Sequence, residues 1–162
     1  MNEHQGASIY DYVKQEGRIL ALDTGRKRIG VAISDEMGVT ARPLPALQRT
    51  SWKRLLNEVA RLVRDFDAKR LVIGLPLNMD GTEGKASGEV RELYRKFSLS
   101  LEIPVCLQDE RLTSREAEER LRRAGRKPNE VADMVDSEAA VIILQDFLAS
   151  ERGDKISFST YS

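Results

Sequence analysis

Residues 18–34, RILALDTGRKRIGVAIS, decide how this chain is read. Two short apolar runs, RILALD and RIGVAIS, flank a turn too short for anything but an antiparallel return, so they form the first two strands. A third stretch within 38–48 adds another strand by a similarly short loop. The first strand ends on a lone carboxylate, Asp23, just ahead of Thr24 and Gly25. In isolation such an Asp is as well read as a turn former as a ligand.

Moving outward, Trp52, Leu55, Leu56, Val59, Leu62, Val63 and Phe66 recur at helical spacing, and Ser51 is placed to cap that helix. RLVIGL at 70–75 is a nearly continuous apolar run, as in a strand covered on both faces. The Gly- and Asn-containing segment 76–88 reads as a long surface loop. Val90, Leu93, Tyr94 and Phe97 give a second helical stripe, and IPVCLQ at 103–108 a fifth strand. Thr113 and Glu116 match a capping box for a further helix that Gly125 would stop. Residues 128–135 read as a linker, and Asp136 opens an apolar helix running to Leu148.

Three strands joined by hairpins, followed by strand and helix in alternation, imply an α/β mixed sheet in the order 3-2-1-4-5 flanked by helices. In such a sheet ligands bind beyond the carboxyl ends of the parallel strands. Asp23 and Glu110 both fall there, and a final helix crossing the sheet would bring Asp136 to the same edge. Carboxylates that converge repel one another unless cations sit between them. Hard oxygen donors suit Mg²⁺ or Mn²⁺, and two such ions about 3.5–4 Å apart can drive phosphodiester hydrolysis. Asp23 is then the bridging ligand, with Glu110 and Asp136 holding the ions from either side. Zinc is not expected, because His4 and Cys106 are the only soft ligands and lack ligand spacing.

Composition sets the remaining bounds. The chain has 162 residues, enough for one domain with its own core. Its 26 basic and 26 acidic residues cancel, so any surface that attracts nucleic acid must be local. The single Cys106 lies in a strand-like run and reads as a buried structural thiol, which points to a reducing, cytoplasmic setting. No apolar run resembles a signal peptide or reaches the roughly 18 residues of a membrane span, so neither export nor a membrane partner is expected. Residues 18–150 are expected to form the domain, with 1–17 a loosely held arm and 151–162 a polar tail.

DTGRKRIGVAISD, VIGLPLNMDGT, DERLTSREAE and VDSEAAVIILQ together resemble, in order and spacing, the motif blocks of the YqgF/RuvX family, a bacterial branch of the RNase H-like nucleases. The likeness spans roughly residues 18–150. It implies an RNase H-like three-layer fold and a divalent-metal nuclease with Asp23, Glu110 and Asp136 as its acids. Two activities are ascribed to such proteins: 5′-end maturation of pre-16S ribosomal RNA, and Holliday junction resolution, which needs a homodimer for paired cuts. The partner would be structured RNA or branched DNA. The last block departs from the family pattern at Met134 and Val135 and also carries Asp133, leaving Asp133 and Asp136 as rival third ligands; Asp136 fits better, directly preceding the apolar helix.

Arg26, Lys27 and Arg28 adjoin the proposed site and are candidate phosphate contacts, although a basic turn is more often merely solvated. Arg111 is placed to pair with Glu110 or with substrate, and Asn78 and Lys85 in the long loop are candidate nucleic-acid contacts. The plainer alternatives are charge at a helix N-terminus for Glu110 and an N-cap for Asp136. Two rival classes stay open: a nucleotide-binding phosphotransferase, whose Asp-x-Gly hairpin DTGRKRIG resembles, and a non-catalytic nucleic-acid-binding module.

Overall fold

The computed structural model describes residues 17–25, 27–110, 119–120, 122–125 and 128–152, and the side chains of 128–136 lie outside that description. The strands are β1 (Arg18–Asp23), β2 (Arg28–Ser34), β3 (Ala41–Gln48), β4 (Ala68–Leu75) and β5 (Val105–Asp109). The helices are α1 (Trp52–Phe66), α2 (Lys85–Ser100) and α3 (Pro128–Glu151). One sheet holds all five strands in the order β3-β2-β1-β4-β5, as the connections imply. β1 is antiparallel to β2 and parallel to β4, with Asp23 opposite Gly30 and Leu22 opposite Ile73. β4 and β5 are parallel, with Leu75 opposite Asp109.

Alternation along the strands divides the core into two layers. Leu20, Leu22, Val31, Leu71 and Ile73 face α1 and α2, where Val59, Val90 and Phe97 meet them. Trp52 meets Phe97 edge to face at a centroid distance of 4.8 Å, tying those two helices together. Ile19, Ala21, Ala32 and Val72 face α3 and its Ala140, Val141, Ile143 and Leu144. That layer of the sheet is built largely from small residues, so the apolar helix lies close against it. By the same alternation Asp23 follows Ile19 and Ala21 onto the α3 side.

The ends of α1 are as the sequence indicates. The Ser51 hydroxyl accepts the Arg54 N–H at 3.3 Å, and Asp67 closes the helix in the left-handed region at φ 51°. β3 is an edge strand and carries Pro43 and Pro45, which donate no backbone hydrogen bond.

Several expectations need correction. The final helix begins at Pro128, not Asp136, so the supposed linker is helical. Proline suits a first helical turn, where no intrahelical partner is lost, and Glu130, Ala132 and Met134 are good helix formers; the polar Asn129, Glu130 and Asp133 hid the start. The same helix continues to Glu151, one residue into the expected tail. The loop after β4 ends at Gly84, which puts Lys85 in the first helical position instead of in the loop. Cys106 is half-buried, since β5 is the other edge of the sheet. Gly125 does take a helix-ending left-handed conformation at φ 77°. The proposed arm at 1–16 and the Thr113–Glu116 capping box lie outside the described residues. Among the described residues no helix is long and apolar enough to cross a membrane.

Candidate active site

Asp23 ends β1 almost fully buried, as does Thr24 after it. The chain turns at once, and the Gly25 N–H donates to Asp23 Oδ1 at 3.1 Å, which fixes the carboxylate at the base of the turn. Arg49, just beyond β3, donates from Nη1 to the Thr24 carbonyl at 3.1 Å and braces the same turn from the side.

Glu110 follows the last residue of β5 and extends the pairing of β4 and β5 by one bond, its N–H donating to Leu75 O at 3.1 Å. Its side chain crosses Gly74 toward Asp23. A Cβ at Gly74 would collide with Glu110 Oε2 and with Ile143 Cδ1 of α3, so only glycine leaves room for the carboxyl. A Cβ at Gly25 would lie 3.4 Å from Asp23 Oδ1 and 3.8 Å from Glu110 Oε1, so both carboxyls flank one point.

Burial is the main cause of a rise in the Glu110 pKa to about 9, followed by the Asp23 charge, a hydrogen bond with Asp23 and the Asp109 charge. The metal-free pair therefore carries a proton between its carboxyls at neutral pH. The two carboxyls bring oxygen donors together, the donor type that a hard divalent cation takes.

Asp136 lies in the third turn of α3, not at its start, which removes the helix N-cap reading. Its neighbour Ser137 is buried and fixes the helix over the sheet. The Ser137 hydroxyl donates to Leu44 O at 2.8 Å and accepts the Val31 N–H at 3.5 Å. Val31 is opposite Leu22, one residue before Asp23, so the backbone at 136–137 stands close to the carboxyl edge of β1. Among the described residues no three His, Cys, Asp or Glu side chains gather in a ligand arrangement; the Asp136 and Asp133 side chains are not among them.

The other candidates are dispersed along this edge. Lys27 is exposed in the β1–β2 turn and Arg28 starts β2 half-buried. Asn78 is exposed, and its amide donates from Nδ2 to Thr82 Oγ1 at 3.0 Å within the loop. Lys85 is exposed at the first position of α2, whose N-cap Gly84 offers no side-chain cap. Arg26 and Arg111 lie outside the described residues.

Sequence reasoning passed over Thr24, Arg49, Gly74 and Ser137. A signal existed for Arg49: in a 3-2-1 order the end of β3 returns to the edge where β1 ends. Gly74 and Ser137 had none, because each answers to residues far away along the chain: Glu110 and Ile143 for Gly74, Leu44 and Val31 for Ser137.

The profile of the family described as "RuvX: Holliday junction resolvase" matches residues 17–150. A Syntrophus aciditrophicus protein named "Putative pre-16S rRNA nuclease" is 46% identical over 139 residues, which cover 86% of this chain and 93% of that protein. A protein of the same name from Anaeromyxobacter sp. is 45% identical over 131 residues, covering 81% of this chain and 96% of its own. Among solved structures, Thermus thermophilus RuvC in complex with a Holliday junction substrate superposes with a TM-score of 0.51 at 14% identity, covering 85% of this chain and 96% of that one. The fowlpox virus Holliday junction resolvase gives a TM-score of 0.50 at 14% identity, over 82% and 99% of the two chains. These two likenesses concern the fold, and the sequence relatives carry the kinship: this chain belongs to the RuvX family.

Proposed function

We propose that this chain is a divalent-metal-dependent nuclease that hydrolyses phosphodiester bonds in the 5′-end processing of pre-16S ribosomal RNA. The observation that carries this reading is the buried Asp23–Glu110 pair at the carboxyl edge of the parallel strands, with Glu110 holding its proton to about 9. The relatives' name supports the RNA substrate.

Asp23 and Glu110, with Asp136 from α3 as third ligand and Asp133 as its rival, would hold a pair of Mg²⁺ or Mn²⁺ ions. When bound, such ions activate water and stabilise the leaving oxygen of a phosphodiester. The chain's own part is placement and charge. Arg49 braces the Thr24 carbonyl so that Asp23 keeps its orientation, and Gly74 gives Glu110 its path. Asp23 and Glu110 would give up the proton they share to hold a cation. Lys27 and Arg28, with Arg26 and Arg111, are assigned to phosphate contacts at the same edge. Lys85 joins them at an uncapped helix start, a setting that favours an incoming anion. Asn78 is assigned to substrate contact through its loop.

The domain is taken as residues 18–150 and the setting as cytoplasmic. A second reading, junction resolution, is favoured by the family's description and would need a homodimer for paired cuts. Wild-type and Asp23→Asn proteins should be incubated with precursor 16S ribosomal RNA, single-stranded RNA and a four-way DNA junction, with and without Mn²⁺. Cleavage of the RNA precursor that needs Mn²⁺ and vanishes in Asp23→Asn is the expected result. Undiminished cutting by the variant would sink the mechanism, and paired nicks in the junction alone would transfer the function to DNA.

A further inference from the structure

The loop between β4 and α2 starts directly beside Glu110, since the Glu110 N–H is bonded to Leu75 O at the end of β4. It folds into a small braced hairpin. Leu77 bridges Glu83, the Asn78 N–H donates to Thr82 O at 2.8 Å, and the Gly81 N–H donates to Asn78 O at 2.8 Å. Asp80 Oδ1 accepts both the Thr82 N–H at 2.9 Å and the Thr82 hydroxyl at 2.6 Å. The base is tied down by a Ser87 to Pro76 carbonyl bond and by an Arg91–Glu83 ion pair.

The polar side chains of this tip are therefore engaged with one another, while Met79 projects with 71% of its surface exposed. Asp80 and Glu83 make the hairpin acidic, and the Thr82 bonds keep the Asp80 carboxyl below its usual range. An acidic tip repels phosphate. What it offers an incoming nucleic acid is an unbranched, polarisable thioether on a stiff support, the kind of apolar group that enters between stacked bases.

We propose that Met79 is a base-contacting wedge that unstacks the substrate at the nucleotide step next to the cleavage edge. The inference rests on the nuclease reading and adds a binding element to it: the ligand class is the face of a nucleobase. A braced hairpin serves this purpose because a wedge on a yielding loop would be pushed aside instead of opening the stack.

The test uses the full chain carrying Asp23→Asn, so that substrate is bound and not cut, with Met79, Met79→Leu or Met79→Ala. The probe is an RNA duplex with a 5′ single-stranded extension and 2-aminopurine at the strand junction, and a four-way DNA junction labelled at its crossover serves as a second arm. Binding should raise 2-aminopurine fluorescence severalfold with Met79 and Met79→Leu and leave it flat with Met79→Ala, whose affinity should fall roughly tenfold. Melting temperature should not change, because Met79 packs against little. Equal fluorescence and affinity for all three proteins would overturn the wedge while wild-type cleavage stands. Absence of both cleavage by wild type and binding by Asp23→Asn would instead bring down the nuclease reading, and the wedge with it.

Discussion

Glu110 and Ile143 close over the same point of the sheet: a methyl group added to Gly74 would meet the carboxyl of one and the Cδ1 of the other. A residue from β5 and a residue from α3 thus share the space above a glycine of β4. Gly74→Ala should cost about 1–3 kcal/mol, because the Glu110 carboxyl and the Ile143 Cδ1 must both give way to the added methyl group. Activity should fall further than stability, since the displaced atom is a carboxylate of the site. Thermal melts and cleavage assays on the purified variant check both; a variant with wild-type activity would show that Glu110 does not need this path.

The shared proton gives a pH dependence. Folded Glu110 titrates near 9, against 4.5 for an ordinary glutamate, so the folded state keeps its proton longer than the unfolded one. The stability this contributes is present below the ordinary carboxyl range and is lost as pH rises through about 9. In chelator, the melting temperature of wild type should drop between about pH 6 and about pH 9 more steeply than that of Glu110→Gln. The same variant should be inactive and, at the alkaline end, more stable than wild type without metal. Parallel pH profiles for the two proteins would refute the assignment.

Ser137 gives a handle on α3 that does not touch the acids. Ser137→Ala removes the bond to Leu44 O and should cost about 1–2 kcal/mol, seen as a lower midpoint in urea. If α3 delivers Asp136 to the site, the looser seat of the helix should lower kcat more than it raises KM. An unchanged kcat in a destabilised protein would separate the helix's structural part from any catalytic one.

Arg49 should behave as a positioning residue. Arg49→Ala frees the Thr24 carbonyl and should reduce kcat about tenfold through misplacement of Asp23, with Arg49→Lys recovering part of the loss. Calorimetric Mn²⁺ titration reads the same effect without turnover: weaker binding in Arg49→Ala is expected, and unaltered binding together with unaltered kcat would dismiss the role.

The order of the five strands was legible because it follows from loop lengths and the switch from hairpins to helical crossovers, both written locally in the chain. Asp23 and Glu110 were legible as acids at strand ends. The start of α3 was not, since Pro128 and the polar residues after it read as a linker until the helix is seen docked along its apolar half. Gly74 looked like any glycine in an apolar run, because the group that excludes a side chain there arrives from Glu110 and Ile143, far away in sequence. Arg49 was hidden for a related reason: its partner is a backbone carbonyl, which no residue type announces. What sequence hides here is the meeting of distant elements at one edge.

Pro43 and Pro45 determine how copies of this protein can meet. A sheet grows sideways only if its outermost strand offers an unbroken row of donors and acceptors, and β3 lacks the donor at two of its positions. A second molecule cannot continue the ladder from that side, so the sheet ends there by chemistry and not by chance. Any symmetric pair must be joined through helices, loops or the β5 border, and the number of cutting sites brought to one nucleic acid depends on which of those surfaces is used.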